Sequence, residues 1–268
     1  MQLFLILTVG GGTGNVAIRT GVSTGGGKGG SITIAVGTGS SGVGGRVSIN
    51  AGLSAIATGG SITVSSGLGA VTSSGNVRMR TSNAGHSGVS GSITLESGTS
   101  SNGISGSIAI TSGTARSGRG GGISLIVGSG NSGRGGLMLM TAGRTDDAAT
   151  GGAVFISSGY SHLTTSGAVT LQSYNAGSSG GSGSVQIVTG TTSYGNSGAI
   201  MMNTGAASGG RGGNVMLTVG RGNSGTGGNV ILSAGTSTYA SGGRVSLTSG
   251  WGAVSSSGNL LMTTVSQR

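Results

Sequence analysis

Short stretches of this chain alternate apolar and polar residues, as in Ile32/Ile34, Val47/Ile49, Ile93/Leu95, Ile108/Ile110, Val185/Ile187 and Val245/Leu247. A period of two is the pattern of a half-buried strand, and no segment carries apolar residues at helical spacing. Each stretch reads Gly, a polar residue, Val or Ile, any residue, Ile or Leu, any residue, a small residue, Gly; residues 213–220 (GNVMLTVG) are one copy. Seven or eight residues of mostly Gly, Ser and Thr follow, and then the phrase starts again.

The leading glycine falls at positions 14, 30, 45, 60, 75, 91, 106, 121, 136, 152, 167, 183, 198, 213, 228, 243 and 258, in steps of 15 or 16 residues. Residues 3–10 (LFLILTVG) superpose on 228–235 (GNVILSAG), which makes them a further strand and not a leader. Self-similarity at a fixed period marks a stacked-repeat architecture, in which short strands become stable only as an array. A longer period lies over the first. The linkers GLGAVTSS, GYSHLTTS and GWGAVSSS follow the stretches that start at Gly60, Gly152 and Gly243, six repeats apart.

These observations predict an all-β fold, a parallel β-solenoid of about 18 repeats running as one domain over residues 1–268. Its six-strand blocks would be 14–105, 106–197 and a partial 198–268. Two repeats per coil are preferred, because one repeat per coil would leave the Val/Ile face opposite a Gly/Ser/Thr limb. With strands about 4.8 Å apart, nine coils would form a rod roughly 43 Å long.

Composition narrows the alternatives. Gly supplies 65 of 268 residues and Pro none. Each Gly costs a helix about 1 kcal/mol relative to Ala, and a collagen-like sequence would need Pro. Gly and Ser at this level also occur in disordered segments, but those lack an apolar beat held in phase. There is no Cys, hence no disulfide and no thiolate metal site. No apolar run approaches the roughly 20 residues of a membrane-spanning helix.

Catalytic chemistry finds little to work with. Glu96, Asp146 and Asp147 are the only acidic residues and provide no spaced carboxylate pair. His86 and His162 lie in different linkers without a nearby acid to orient them, so a Ser-His-Asp arrangement is not expected. No catalytic, metal or cofactor residue is assigned, and the chain reads as a non-enzyme. Three glycine sets, Gly37/Gly39/Gly42, Gly128/Gly130/Gly133 and Gly220/Gly222/Gly225, match G-x-G-x-x-G. A dinucleotide site would need a helix after the motif, and here another strand follows, so these glycines are expected at corners with positive φ.

The net charge is +10. Lys28, Arg116, Arg119, Arg134, Arg144, Arg211 and Arg221 are spread over linkers, whereas Arg19, Arg46, Arg78 and Arg80 fall on strand faces. Isolated cations keep near-neutral coils soluble, which is the preferred reading. An anionic polysaccharide or other glycan is the alternative partner, and nucleic acid is disfavoured because few aromatic residues are present to stack on bases.

With the third and fifth positions turned inward, the even positions face out. Some form hydroxyl ranks, namely Ser31/Thr33, Ser61/Thr63/Ser65, Ser92/Thr94 and Ser246/Thr248. Such ranks on a small-residue solenoid resemble insect-type ice-binding proteins, and the Gly/Ser/Thr repeats resemble fibre-type β-solenoid arrays. The first resemblance implies binding to ice, mineral or polysaccharide through the hydroxyl face. Arg78, Arg80, Glu96, Ile126, Phe155, Gln186 and Met216 interrupt the ranks, whereas an ice-binding plane is uniform.

Other outward positions are apolar. Leu137, Leu139, Met201, Ile231 and Leu261 are assigned to the outside of one sheet, and Ile126, Phe155, Val188 and Met216 to the outside of the other. Extended apolar patches usually mark interfaces. Leu3, Phe4, Leu5 and Leu7 at one end, with Leu260 and Met262 at the other, would meet end to end as open β-edges. The expected function is therefore that of a building block of an extracellular or surface fibre, with copies of itself as partner.

Overall fold

A computed structural model describes residues 14–265. Among them there is no helix and no strand, which overturns the expected all-β parallel β-solenoid and its parallel sheets. Every backbone hydrogen bond in the described residues is local, from Ala149 N–H to the Asp147 carbonyl at the short end to Gly152 N–H and the Gly143 carbonyl at the long end. Among the described residues no ladder joins one repeat to the repeat that a two-strand coil would place beside it.

The physical reason lies in what a period of two specifies. Alternation decides which side a residue takes, but not which segment it pairs with. Near-identical Gly-rich repeats give the register little preference for one partner over the next. Pairing across a whole coil must also close a loop of about thirty residues, and Gly loses more backbone freedom on ordering than any other residue.

The chain divides into two units, Met1–Ser129 and Gly130–Arg268. In the first, the described residues bend at 25–26, 40–42, 55–57, 70–72, 86–88, 101–103 and 116–118. In the second they bend at 131–133, 146–149, 162–164, 178–180, 193–195, 208–210, 223–225, 238–240 and 253–255. Each bend falls inside a linker, so the 15-to-16-residue period of the sequence is also the period of the backbone.

A neck, one backbone hydrogen bond across its base, closes six of the linkers. In the first unit, Gly60 N–H donates to the Gly52 carbonyl at 2.8 Å and Gly75 N–H to Gly67 at 2.9 Å. In the second, Gly152 bonds to Gly143, Gly167 to Gly159 and Gly243 to Gly235, each at 2.9 Å, and Gly258 to Gly250 at 2.8 Å. The leading glycine thereby abuts the small residue before the previous phrase's last glycine. A Cβ on Gly60 would sit 3.2 Å from the Ala51 Cβ, on Gly152 3.2 Å from Ala142, and on Gly228 2.7 Å from Val219 Cγ1. At these positions Gly opens the phrase where a side chain would crowd the seventh residue of the phrase before.

The longer period is also built into the backbone. Gly42, Gly133 and Gly225, one block apart, have φ of 87°, 75° and 79°. They are the third members of the three G-x-G-x-x-G sets, and the first two members of each set do not have positive φ. The corner reading thus holds for one glycine in each set.

There is no core among the described residues, none of which is buried. Accessible surface totals 27776 Å². A compact protein of this mass exposes about 10,000 Å² and a fully unfolded one about 36,000 Å². The local necks organise the linkers without covering the apolar positions.

Candidate assembly surface

Exposure of the apolar side chains differs between the two sides of the phrase except near the ends, where the inward Val16 and Met262 are 85% and 82% exposed. From Ile32 to Leu247, the inward positions of the phrase are 42–76% exposed, with Val127 and Val219 lowest and Ile34 highest. The outward candidates Ile126, Leu137, Leu139, Phe155, Val188, Met201, Met216, Ile231 and Leu261 are 77–92% exposed. Within that range the outward apolar positions are the more exposed, and no sheet forms among the described residues.

The two units differ in what their outward positions carry. In Met1–Ser129 these include Arg19, Arg46, Arg78, Arg80 and Glu96, and Ile126 is the one candidate of the assembly face. In Gly130–Arg268 they include Leu137, Leu139, Phe155, Val188, Met201, Met216, Ile231 and Leu261, with Arg244 as the one cation. The expected division of these residues between two sheets has no counterpart in the described structure, since there are no sheets. What remains is a run of outward apolar side chains belonging to the second unit.

Leu260 and Met262, expected at one end of a stack, are exposed. Their expected partners Leu3, Phe4, Leu5 and Leu7 lie outside the described residues. Ser31, Thr33, Ser61, Thr63, Ser92 and Thr94 are all exposed, but without a sheet they form no flat rank.

His86 and His162 sit in separate bends, at 86–88 and 162–164. Asp146 pairs with Arg144 at 3.1 Å in a fully solvated linker, the one ion pair among the described residues. Asp147 caps its own turn, its carboxylate accepting from Ala148 N–H at 2.7 Å. Comparable caps recur at block spacing, with Ser54 Oγ accepting from Ala57 N–H and Ser237 Oγ from Ala240 N–H, both at 3.0 Å. Among the described residues no group of three or more His, Asp or Glu could hold a metal ion, and no helix is long and apolar enough to cross a membrane.

Sequence reasoning missed the neck pair of leading glycine and preceding small residue, although its signal was present. The seventh position repeats Val36/Val127/Val219, Ala51/Ala142/Ala234 and Ser66/Ser158/Ser249 at block spacing. The protein matches no protein-family model, and comparison with curated proteins and with solved structures finds no match.

Proposed function

We propose that this chain is a structural repeat protein, extracellular or on a cell surface, that associates with copies of itself through the outward apolar positions of Gly130–Arg268. The observation that carries this reading is the exposure of those side chains, 77–92%, along a unit whose inward positions are also uncovered. Fully burying one such side chain is worth about 1.5–3 kcal/mol, so a run of them supplies a strong drive to associate. A second copy offers the same run at the same period. Repetition suits such a contact, because a match at one repeat brings the next into place.

The test is the triple variant Leu139→Ser, Met201→Ser, Ile231→Ser, compared with wild type by sedimentation velocity. These side chains are almost wholly solvated within one molecule, so their loss leaves the necks intact. The variant should weaken self-association at least about a hundredfold, corresponding to roughly 2.7 kcal/mol or more of lost burial. Unchanged association would remove the outward apolar run from the account.

A further inference from the structure

The linker at 101–103 combines three features that no other asparagine of the described residues has together. Asn102 is followed by Gly103, the one Asn-Gly pair in the sequence. The pair is exposed and lies within a bend. Gly103 has φ of 137°, in the region that favours glycine, and a Cβ there would have only Ser100 Oγ within 4 Å, at 3.6 Å. Neither the Asn102 side chain nor the Gly103 N–H makes a hydrogen bond within the described residues.

The comparison between blocks is informative. One block later the same backbone position is Gly195, with φ of 101°, but the residue before it is Tyr194. Asn131, Asn196 and Asn223 also lie in linkers, each followed by Ser. Asn50 donates through Nδ2 to Ser48 Oγ at 2.9 Å, and Ala51 follows it.

We propose that Asn102 is a site of spontaneous covalent modification, converting to aspartate and isoaspartate. The Gly103 backbone nitrogen, after losing its proton to solvent, attacks Cγ, the amide carbon of Asn102. A bond between that nitrogen and Cγ forms and closes a five-membered succinimide, the bond from Cγ to Nδ2 breaks, and Nδ2 leaves as ammonia. Water then adds to one of the two ring carbonyls. Opening on one side gives aspartate, and opening on the other gives isoaspartate, with the backbone routed through the former side group. Water is the only co-reactant, and nothing is oxidised or reduced.

The structure supplies what the first step requires. Glycine places no side group in the path of the attacking nitrogen. Solvent reaches the amide, and no hydrogen bond has to be broken first. The product adds a carboxylate to a unit whose only acidic residue is Glu96. The isoaspartate form also lengthens the linker backbone by one carbon, between Ser97 and Gly106, where a Cβ on Gly106 would lie 3.1 Å from the Ser97 Cβ.

The full-length protein, aged at mildly alkaline pH, is digested and mapped by mass spectrometry, with isoaspartate assayed by enzymatic methylation. Asn102 should lose its amide at least about tenfold faster than Asn131, Asn196 or Asn223, a barrier difference of about 1.4 kcal/mol. Asn102→Gln should abolish the signal at that site. Ser132→Gly, which creates a second Asn-Gly pair at Asn131, should bring that site up to a comparable rate. If Asn102 keeps its amide as long as the three Asn-Ser sites do, the proposal is wrong. It would also fail if Ser132→Gly left Asn131 unchanged, since the following glycine would then not set the rate.

Discussion

The glycine that opens a phrase is set by contact at several repeats, Gly60, Gly152, Gly228 and Gly243 among them. At Gly152 an added Cβ would lie 3.0 Å from the Gly143 nitrogen and 3.2 Å from the Ala142 Cβ, so Gly152→Ala requires the neck to give by a few tenths of an ångström. The Gly152–Gly143 hydrogen bond that this shift strains is worth about 1 kcal/mol net. Arg144 provides a built-in reporter, because trypsin cleaves after it inside the linker this neck closes. Cleavage there should quicken about fivefold in the variant, provided that opening and reclosing are fast relative to cutting. An unchanged rate would mean that the neck does not restrain its linker. The nearby Arg144–Asp146 pair is fully solvated and serves as the contrast. Exposed pairs of this kind contribute little, and Asp146→Asn should leave cleavage at the other linkers unaltered.

At the scale of the repeat, the contrast between the units becomes an experiment. Arg78 and Arg80 occupy outward positions of one phrase, as Leu137 and Leu139 do in another. Replacing both arginines by leucine extends the apolar run into Met1–Ser129. Self-association should tighten at least about tenfold, since each buried leucine contributes about 1.5–3 kcal/mol against the cost of ordering it. Light scattering over a concentration series reads the shift, and no shift would confine assembly to features peculiar to the second unit. This scale also shows what the sequence made legible. The period, the linker bends and the block repeat were readable, because each is carried by the local sequence of the phrase and its linker. Pairing was not. Val47 and Ile49 declare a side, but nothing in them names a partner segment, and the phrases at Gly45, Gly60 and Gly75 are too alike to choose among. The assignment of the assembly candidates to two sheets depended on pairing and failed with it. The neck escaped notice because a small residue opposite a glycine looks unremarkable until the two are seen in contact.

For the whole molecule, charge and apolar exposure oppose each other. Each copy carries +10, so identical molecules repel as they approach. Raising salt from low ionic strength to about 0.15 M shortens the screening length from about 30 Å at 0.01 M to about 8 Å. Assembly driven by apolar contact should therefore strengthen as salt is added, as read by sedimentation at fixed protein concentration. Assembly bridged by an acidic polysaccharide would weaken under the same change.

The central claim is that apolar positions left uncovered within one molecule are covered by others. Negative-stain electron microscopy of the purified protein across a dilution series tests it most directly. The account predicts multimeric assemblies that persist well below the concentration at which the protein is prepared. Uniform monomeric particles at every concentration would contradict it, because the exposed apolar run would then be stable in water without a partner.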